Sequence, residues 1–153
     1  MNLAEKLQAD LKMAMKAKDE KRLSTLRMIR ARILEMEKEK AGVEITDEKI
    51  QKILEIMVKQ HRDSAIEFEK AGRDELAANE LAEMKIVQTY LPDEVSEEEI
   101  ANAVDAAVAQ TGAKSMSDMG KVMGSTIGIL KKTGKLVDGN KVRISVEIKL
   151  QSL

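Results

Sequence analysis

The scarcity of proline constrains the fold of this chain more than any other feature, because Pro92 is the single proline among 153 residues. An interior proline costs a helix about 3 kcal/mol, so long stretches on either side of position 92 are free to be helical. The apolar residues are almost all aliphatic, since Phe and Tyr occur once each and Trp is absent. This composition favours helices over a β-sandwich. We predict an all-α protein with a boundary at Pro92.

Apolar side chains recur at helical spacing along the first part of the chain, as in the run Leu3, Leu7, Leu11 and Met15. Such a stripe is typical of an amphipathic helix that buries one face. We therefore predict an N-terminal bundle of long helices over residues 1–92, with Ala41-Gly42 ending its second helix. The stretches with this periodicity are residues 2–17, 19–40, 46–72 and 74–90.

Residues 93–153 are predicted to form a smaller C-terminal helical domain. Its first helix has the clearest local signal, because Ser96 followed by Glu99 matches a capping box, and Gly112 is expected to end that helix. A second helix is predicted from Ser115 or Ser117 to about residue 134. Residues 138–140, Asp-Gly-Asn, are predicted to form a turn.

The last segment, residues 142–150, allows two interpretations. It alternates apolar and polar residues and is rich in β-branched side chains, which on pattern alone indicates a strand. Val142, Val146 and Leu150 also fit one face of a helix, and a lone strand would have no partner. We predict a helix.

The chain offers little for catalysis or metal binding, because it has one His and no Cys. His61, Asp63 and Ser64 are the residue types of a catalytic triad, but Asp63 points away from the other two on a helix. We interpret His61 as a partly buried packing residue. Gly120-Lys121 is followed by Val122, so it does not match a phosphate-binding loop. We predict no catalytic residue, no metal and no cofactor.

The sequence shows no apolar leader segment and no run of about 18 apolar residues, so we expect neither a signal peptide nor a membrane span. The absence of cysteine suits a reducing compartment. The composition therefore predicts a soluble, cytoplasmic protein, and we expect a monomer.

Basic residues and glycines concentrate towards the C-terminus, where residues 113–153 hold eight Lys or Arg against three Asp or Glu. Gly120, Gly124 and Gly128 fall on one helix face, and each costs about 1 kcal/mol relative to Ala. We favour close helix packing as the reason, and the alternative is approach by another molecule's backbone. A surface of this kind could bind RNA phosphates. The predicted RNA-binding residues are Lys114, Gly120, Lys121, Gly124, Lys131, Lys132, Lys135, Lys141 and Arg143.

Several segments of the chain resemble the YqeY family. In the C-terminal part they are Tyr90-Leu91-Pro92, Ser96-Glu97-Glu98-Glu99-Ile100, Gly112-Ala113 and Ser117-Asp118-Met119-Gly120-Lys121-Val122-Met123. In the N-terminal part they are Asp10-Leu11-Lys12, Ala17-Lys18-Asp19, Leu23-Ser24-Thr25-Leu26-Arg27 and Ala71-Gly72-Arg73-Asp74-Glu75-Leu76. The YqeY family is in turn similar to the tail domain of the B subunit (GatB) of the bacterial tRNA-dependent Asp/Glu amidotransferase.

This resemblance implies an all-helical N-terminal domain joined to a helical C-terminal domain of the kind associated with tRNA recognition. The amidotransferase itself is a carbon–nitrogen ligase with glutamine as amido-N-donor, and its catalytic domains have no counterpart here. We therefore expect a non-catalytic accessory protein that binds tRNA through the C-terminal domain. The alternative is a protein–protein interaction module that does not bind RNA.

Overall fold

The computed structural model describes residues 2–39, 42 and 44–153, and these residues form seven α-helices and one short 3-10 helix. In these ranges the chain has no strand, and its one β-type pairing is an isolated bridge between Glu94 and Leu136. The all-α prediction is confirmed. The chain divides into two compact units, Met1–Leu91 and Pro92–Leu153, and the domains predicted from the sequence differ from these by one residue.

The first unit consists of four helices, which are α1 (Leu3–Ala17), α2 (Glu20–Glu39), α3 (Asp47–Lys70) and α4 (Asp74–Gln88). Side-chain caps fix where three of them begin. Asn2 accepts the backbone N–H of Glu5, Asp19 accepts that of Arg22, and Thr46 accepts that of Lys49. The fourth helix ends two residues before the predicted Tyr90. Of the predicted stop at Ala41-Gly42, Ala41 lies outside the described residues.

Aliphatic side chains from all four helices form the core of this unit, as the composition requires. The short connection between α3 and α4 folds α4 back along α3, and these two helices share an extensive interface. His61 is 7% exposed, which agrees with its interpretation as a packing residue. The largest fully buried members of this core are Ile29, Ile50, Leu54, Met57 and Val87.

Tyr90 connects the end of α4 to the first two helices. Its hydroxyl donates a hydrogen bond to Asp10 Oδ2 at 2.6 Å, and Arg22 Nη2 lies 3.9 Å from the same oxygen. The Lys6 ammonium lies 5.5 Å from the centroid of the tyrosine ring, within the range of a cation–π interaction. Burial raises the pKa of Tyr90, and the hydrogen bond to the Asp10 carboxylate raises it further.

The second unit consists of three helices, α5 (Glu97–Thr111), α6 (Met119–Lys131) and α7 (Gly139–Gln151), with the 3-10 helix Met116–Asp118 before α6. The capping box predicted at Ser96 is present, because Ser96 Oγ accepts the Glu99 N–H and the Glu99 carboxylate accepts the Ser96 N–H. Buried side chains of α5, α6 and α7 form its core, among them Ile100, Val104, Val122, Val142 and Val146.

The predicted turn at residues 138–140 is wrong. Asp138 is the N-cap of α7, and its carboxylate accepts the N–H groups of Asn140 and Lys141 at 2.9 and 3.4 Å. Gly139 and Asn140 therefore belong to the first helical turn. A short acidic residue before glycine suits a helix start as well as a turn, because both use the same side-chain to backbone hydrogen bond.

The helix predicted for residues 142–150 is confirmed. Val142, Val146 and Leu150 are buried in the core of the second unit, one turn apart along α7. Ile144 and Ile148 are 50% and 64% exposed, so they belong to the outer face of the same helix. The alternation of apolar and polar residues in this segment thus arises because Ile144 and Ile148 are apolar residues on the exposed face of the helix.

In the described part of the chain, no helix is both long enough and apolar enough to cross a membrane.

Tyr90 gives a prediction about alkaline pH. Its pKa in the folded chain is raised, so the stabilisation from the neutral phenol is complete below the unfolded pKa of about 10 and is lost as the pH rises through the folded value. Tyr90→Phe removes this pH dependence and, by removing one hydrogen bond, lowers the free energy of unfolding by about 1 kcal/mol at neutral pH. An absorbance titration of the single tyrosine measures its pKa, and denaturant unfolding measures the stability. Titration of Tyr90 near pH 10 would show that neither burial nor Asp10 perturbs the phenol in solution.

Candidate nucleic-acid interface

Helix α6 has two faces of different character. Val122, Thr126 and Leu130 are buried one turn apart, and the Thr126 hydroxyl donates to the Val122 carbonyl at 2.7 Å, so no polar atom of that side chain lacks a partner. On the roughly opposite side of α6, three glycines also lie one turn apart, at positions 120, 124 and 128, and all three are exposed. We call Gly120, Gly124 and Gly128 the glycine ridge.

The glycine ridge does not serve close helix packing, which corrects the interpretation favoured from the sequence. A Cβ built on Gly120, Gly124 or Gly128 meets no heavy atom within 4 Å in the described part of the chain. The reason is register: the core of the second unit takes the face with Val122 and Leu130, and that leaves the glycines on the outside. The cost of three exposed glycines is therefore not offset by contacts within the unit.

Lysines border the glycine ridge. With a rotation of about 100° per residue, Lys131 falls within the arc spanned by the three glycines and Lys121 lies about 20° outside it. Lys132 is the C-cap of α6, and Lys114 lies just before the 3-10 helix that leads into it. All four lysines are exposed. Among the described residues, no carboxylate makes an ion pair with any of the four.

The other three predicted cations are paired with carboxylates. Lys135 Nζ lies 2.9 Å from Glu99 Oε1, and Lys141 Nζ lies 3.4 Å from Glu94 Oε2. Arg143 Nη1 lies 3.2 Å from Glu147 Oε1, one turn further along α7. The structure thus divides the seven predicted basic residues into four at the ridge and three with partners.

This division has a cause in the distribution of charge. Residues 93–112 contain six acidic residues and no basic one. Paired backbone bonds join this segment to the loop before α7: Val95 N–H donates to the Leu136 carbonyl, and Leu136 N–H donates to the Asp93 carbonyl, both at 2.9 Å. These backbone bonds place Lys135 beside Glu99 and Lys141 beside Glu94. The lysines around α6 are not part of these ion pairs.

Asp118 reduces the positive charge at one end of the ridge. Its carboxylate accepts the backbone N–H groups of Lys114 and Ser115 at 2.9 and 3.4 Å. These bonds lower the pKa of Asp118, with smaller contributions from the Lys121 and Lys114 charges, so the group is ionised at neutral pH. The Lys131–Lys132 end of the ridge is consequently the more positive one.

The chain also matches a protein family. A family model described as Yqey-like protein matches residues 4–150. The chain belongs to the YqeY family. The family assignment made from the sequence motifs is confirmed, whereas the likeness to the amidotransferase tail domain stays a prediction.

Similar proteins of this family carry the name Altered inheritance of mitochondria protein 41, mitochondrial. The protein of that name from Pyrenophora tritici-repentis is 32% identical over 146 residues, which cover 93% of this chain and 77% of the relative. Those from Eremothecium gossypii and Clavispora lusitaniae are 35% and 39% identical over 102 and 89 residues. The matched regions cover 56% and 51% of those two relatives, or about half of each.

The cytoplasmic location predicted from the sequence is contradicted by these relatives, which are named as mitochondrial proteins. That prediction used the absence of cysteine and of an apolar leader. Both features describe the chemistry of the chain, and neither identifies the compartment in which its relatives occur.

Sequence reasoning left one residue out of the predicted RNA-binding set. Gly128 continues the glycine ridge, and its spacing of four residues from Gly124 was the available signal. The pairing of Lys135 with Glu99 had no comparable signal, because the two residues are 36 positions apart. A contact of that kind depends on how the helices fold together.

The open space above the ridge leads to a prediction of increased stability. Because none of the three ridge glycines has positive φ and none meets a neighbour, alanine fits each position. Gly120→Ala, Gly124→Ala and Gly128→Ala should each raise the free energy of unfolding by about 0.4–1 kcal/mol, chiefly by restricting the unfolded chain. Denaturant unfolding measures the change. Gly112→Ala is a control with the opposite sign, because Gly112 ends α5 at φ 67°.

Proposed function

We propose that the chain is a non-catalytic accessory protein that binds structured RNA of the tRNA class through the outer face of α6. The observation that carries the proposal is a set of four lysines beside an exposed glycine ridge, none of which pairs with a carboxylate of the described residues. Lysine ammonium groups supply the attraction for phosphates that dominates RNA affinity. The membership in the YqeY family and the resemblance to a tail domain associated with tRNA recognition support the same role.

The glycine ridge contributes to RNA binding because its residues have no side chains. Without a Cβ, Gly120, Gly124 and Gly128 let a sugar–phosphate backbone approach the helix closely, which other residues prevent. Lys121 and Lys131 then flank the approaching backbone, and Lys132 extends the positive surface past the end of the helix. A smooth strip with charged borders fits an extended polyanion.

The second unit is suited to reading the shape of RNA. The two aromatic residues of the chain, Phe68 and Tyr90, both lie in the first unit, so the second unit has no ring on which a base could stack. Recognition of double-stranded RNA relies mainly on phosphates, 2′-hydroxyls and groove shape. Folded RNA with paired stems is therefore the expected class of ligand.

The alternative, a protein-interaction module, has one observation in its favour. Ile144 and Ile148 are exposed one turn apart on α7, and exposed apolar residues of this kind occur at protein interfaces. Under this alternative the chain captures a protein partner, and the complex persists after nuclease treatment. The chain itself does not bind RNA. The salt dependence described next distinguishes the two roles.

Binding to unfractionated tRNA should be saturable and should weaken steeply with salt. Four phosphate contacts give a slope of log K against log salt of about −3, so affinity should fall roughly fifty- to hundred-fold between 50 and 200 mM salt. Filter binding or fluorescence anisotropy measures the slope. Absence of binding at low salt would exclude the proposal and favour the protein partner.

Charge removal at the ridge should reduce that slope. Replacing Lys121, Lys131 and Lys132 together with Gln should lower its magnitude from about 3 to about 1, because three of the four phosphate contacts are removed. The matched control replaces the three paired cations, Lys135, Lys141 and Arg143, with Gln. That control removes equal charge but should change the slope much less, since those groups already have carboxylate partners. Equal effects of the two triple variants would show that the ridge is not the binding surface.

A bulky side chain on the ridge should block binding without unfolding the unit. Gly124→Gln fits the open space, and Gln is a better helix former than Gly, so stability should not fall. Affinity for tRNA should drop by at least about tenfold if the backbone must approach closely, which corresponds to about 1.4 kcal/mol. Gly139→Gln on α7 is the control, because Gly139 is also exposed and a Cβ there also meets no atom within 4 Å in the described part of the chain. Unchanged tRNA affinity of Gly124→Gln would separate the ridge from the lysines that flank it.

A further inference from the structure

A buried histidine and two carboxylates meet where α3 packs on α4 in the first unit. His61 Nδ1 lies 2.7 Å from Glu80 Oε2 and 3.7 Å from Glu83 Oε2. The side chain of His61 is 9% exposed, and those of Glu80 and Glu83 are 24% and 14% exposed. Since the two glutamates are three residues apart on α4, they share one helix face. Donor atoms of all three side chains lie within 4.8 Å of one another.

We propose that His61, Glu80 and Glu83 form a binding site for a divalent first-row transition-metal ion, with Zn²⁺ as the ion that fits best. One imidazole nitrogen and two carboxylate oxygens are a donor set that zinc accepts, with bonds of about 2.0–2.2 Å. Calcium and magnesium prefer oxygen donors alone, so the buried imidazole favours a transition metal over either of them. This site is in the first unit and is independent of the RNA-binding role of α6.

The distances between the donor atoms suit an ion of this size. Around a tetrahedral ion at about 2.1 Å, neighbouring donor atoms are about 3.4 Å apart. The two distances from His61 Nδ1, 2.7 and 3.7 Å, lie on either side of that value. Glu80 is the more exposed of the two glutamates, so a change of its rotamer would lengthen the shorter distance.

A neighbouring side chain orients one of the ligands. Asn79 Nδ2 donates to Glu83 Oε1 at 3.4 Å, while Oε2 of the same carboxylate faces His61. Second-layer hydrogen bonds of this kind hold metal-binding carboxylates in position. Arg32 borders the same cleft, and its Nη2 donates to Gln60 Oε1 at 2.8 Å.

The site has room for the remaining ligands of the ion. His61 and Glu80 line a cleft of about 460 Å³ between α2, α3 and α4, whose other walls include Met28, Asp63 and Ser64. Because His61 and Glu80 line this cleft, an ion bound between them has a position left for water. That arrangement is an open coordination sphere, in contrast to the four protein ligands of a closed structural zinc site.

The composition of the chain makes the test unusually specific. The chain has one histidine and no cysteine, so zinc bound through an imidazole can be bound only at His61. The 153-residue chain without a polyhistidine tag, stripped of metal with a chelator, is titrated with Zn²⁺ by calorimetry. One Zn²⁺ should bind per chain with micromolar or tighter affinity. The ring resonances of the single histidine should shift on binding.

Variants of the glutamates test the assignment of ligands. Glu80→Gln and Glu83→Gln should each weaken Zn²⁺ binding by at least about tenfold, because each removes a charged ligand. Glu69→Gln is the matched control, since Glu69 is an exposed carboxylate on α3 outside the cluster, and it should bind like wild type. His61→Ala should abolish the binding. If that variant does not fold, Glu80→Gln decides, because Glu80 is partly exposed and Gln keeps its shape.

Two results would overturn the proposal. One is the absence of stoichiometric Zn²⁺ binding in the micromolar range, with histidine resonances that do not respond to the metal. The other is equal Zn²⁺ affinity of the Glu80→Gln, Glu83→Gln and Glu69→Gln variants. Either result would leave the three groups as a polar contact between a histidine and two carboxylates that fastens α3 to α4.

Discussion

The carboxylate of Glu99 organises the second unit, because one side chain makes two unrelated contacts. It accepts the Ser96 N–H at 3.3 Å, which closes the first turn of α5, and it accepts the Lys135 ammonium at 2.9 Å from the loop that leads into α7. The hydrogen bond from Lys135 and then the one from Ser96 lower the pKa of Glu99, and the carboxylate raises the pKa of Lys135. A helix start and a loop position are thus fixed together, and Glu99 is not available to the lysines around α6.

The helices could be predicted from the sequence because their signals are local. A stripe of apolar residues and a cap act over a few neighbouring positions, so the first helix is placed within one residue and the capping box at Ser96 is present as predicted. The last helix shows where such reasoning becomes ambiguous. Val142, Val146 and Leu150 make its buried face, but exposed Ile144 and Ile148 add the alternation of a strand, and burial alone distinguishes the two.

The candidate site could be predicted only in part, because charge and packing depend on tertiary contacts. The spacing of Gly120, Gly124 and Gly128 placed them on one face, but whether that face is packed or open depends on the side of α6 that faces α5 and α7. Lys135 and Lys121 look alike in the sequence, and only the former lies beside a carboxylate of α5. His61 and Glu80 are 19 residues apart, and the helical hairpin brings them together.

The three glycines of α6 also affect how the second unit acquires its structure. Relative to alanine they remove about 3 kcal/mol of intrinsic helix propensity from a helix of 13 residues, which is too short to be stable alone in water. What holds α6 in helical form is the burial of Val122, Thr126 and Leu130 in the core. Its secondary structure therefore cannot form ahead of that core. Folding of α6 is coupled to packing of the unit, and the exposed glycine face depends on the buried face for its helical shape.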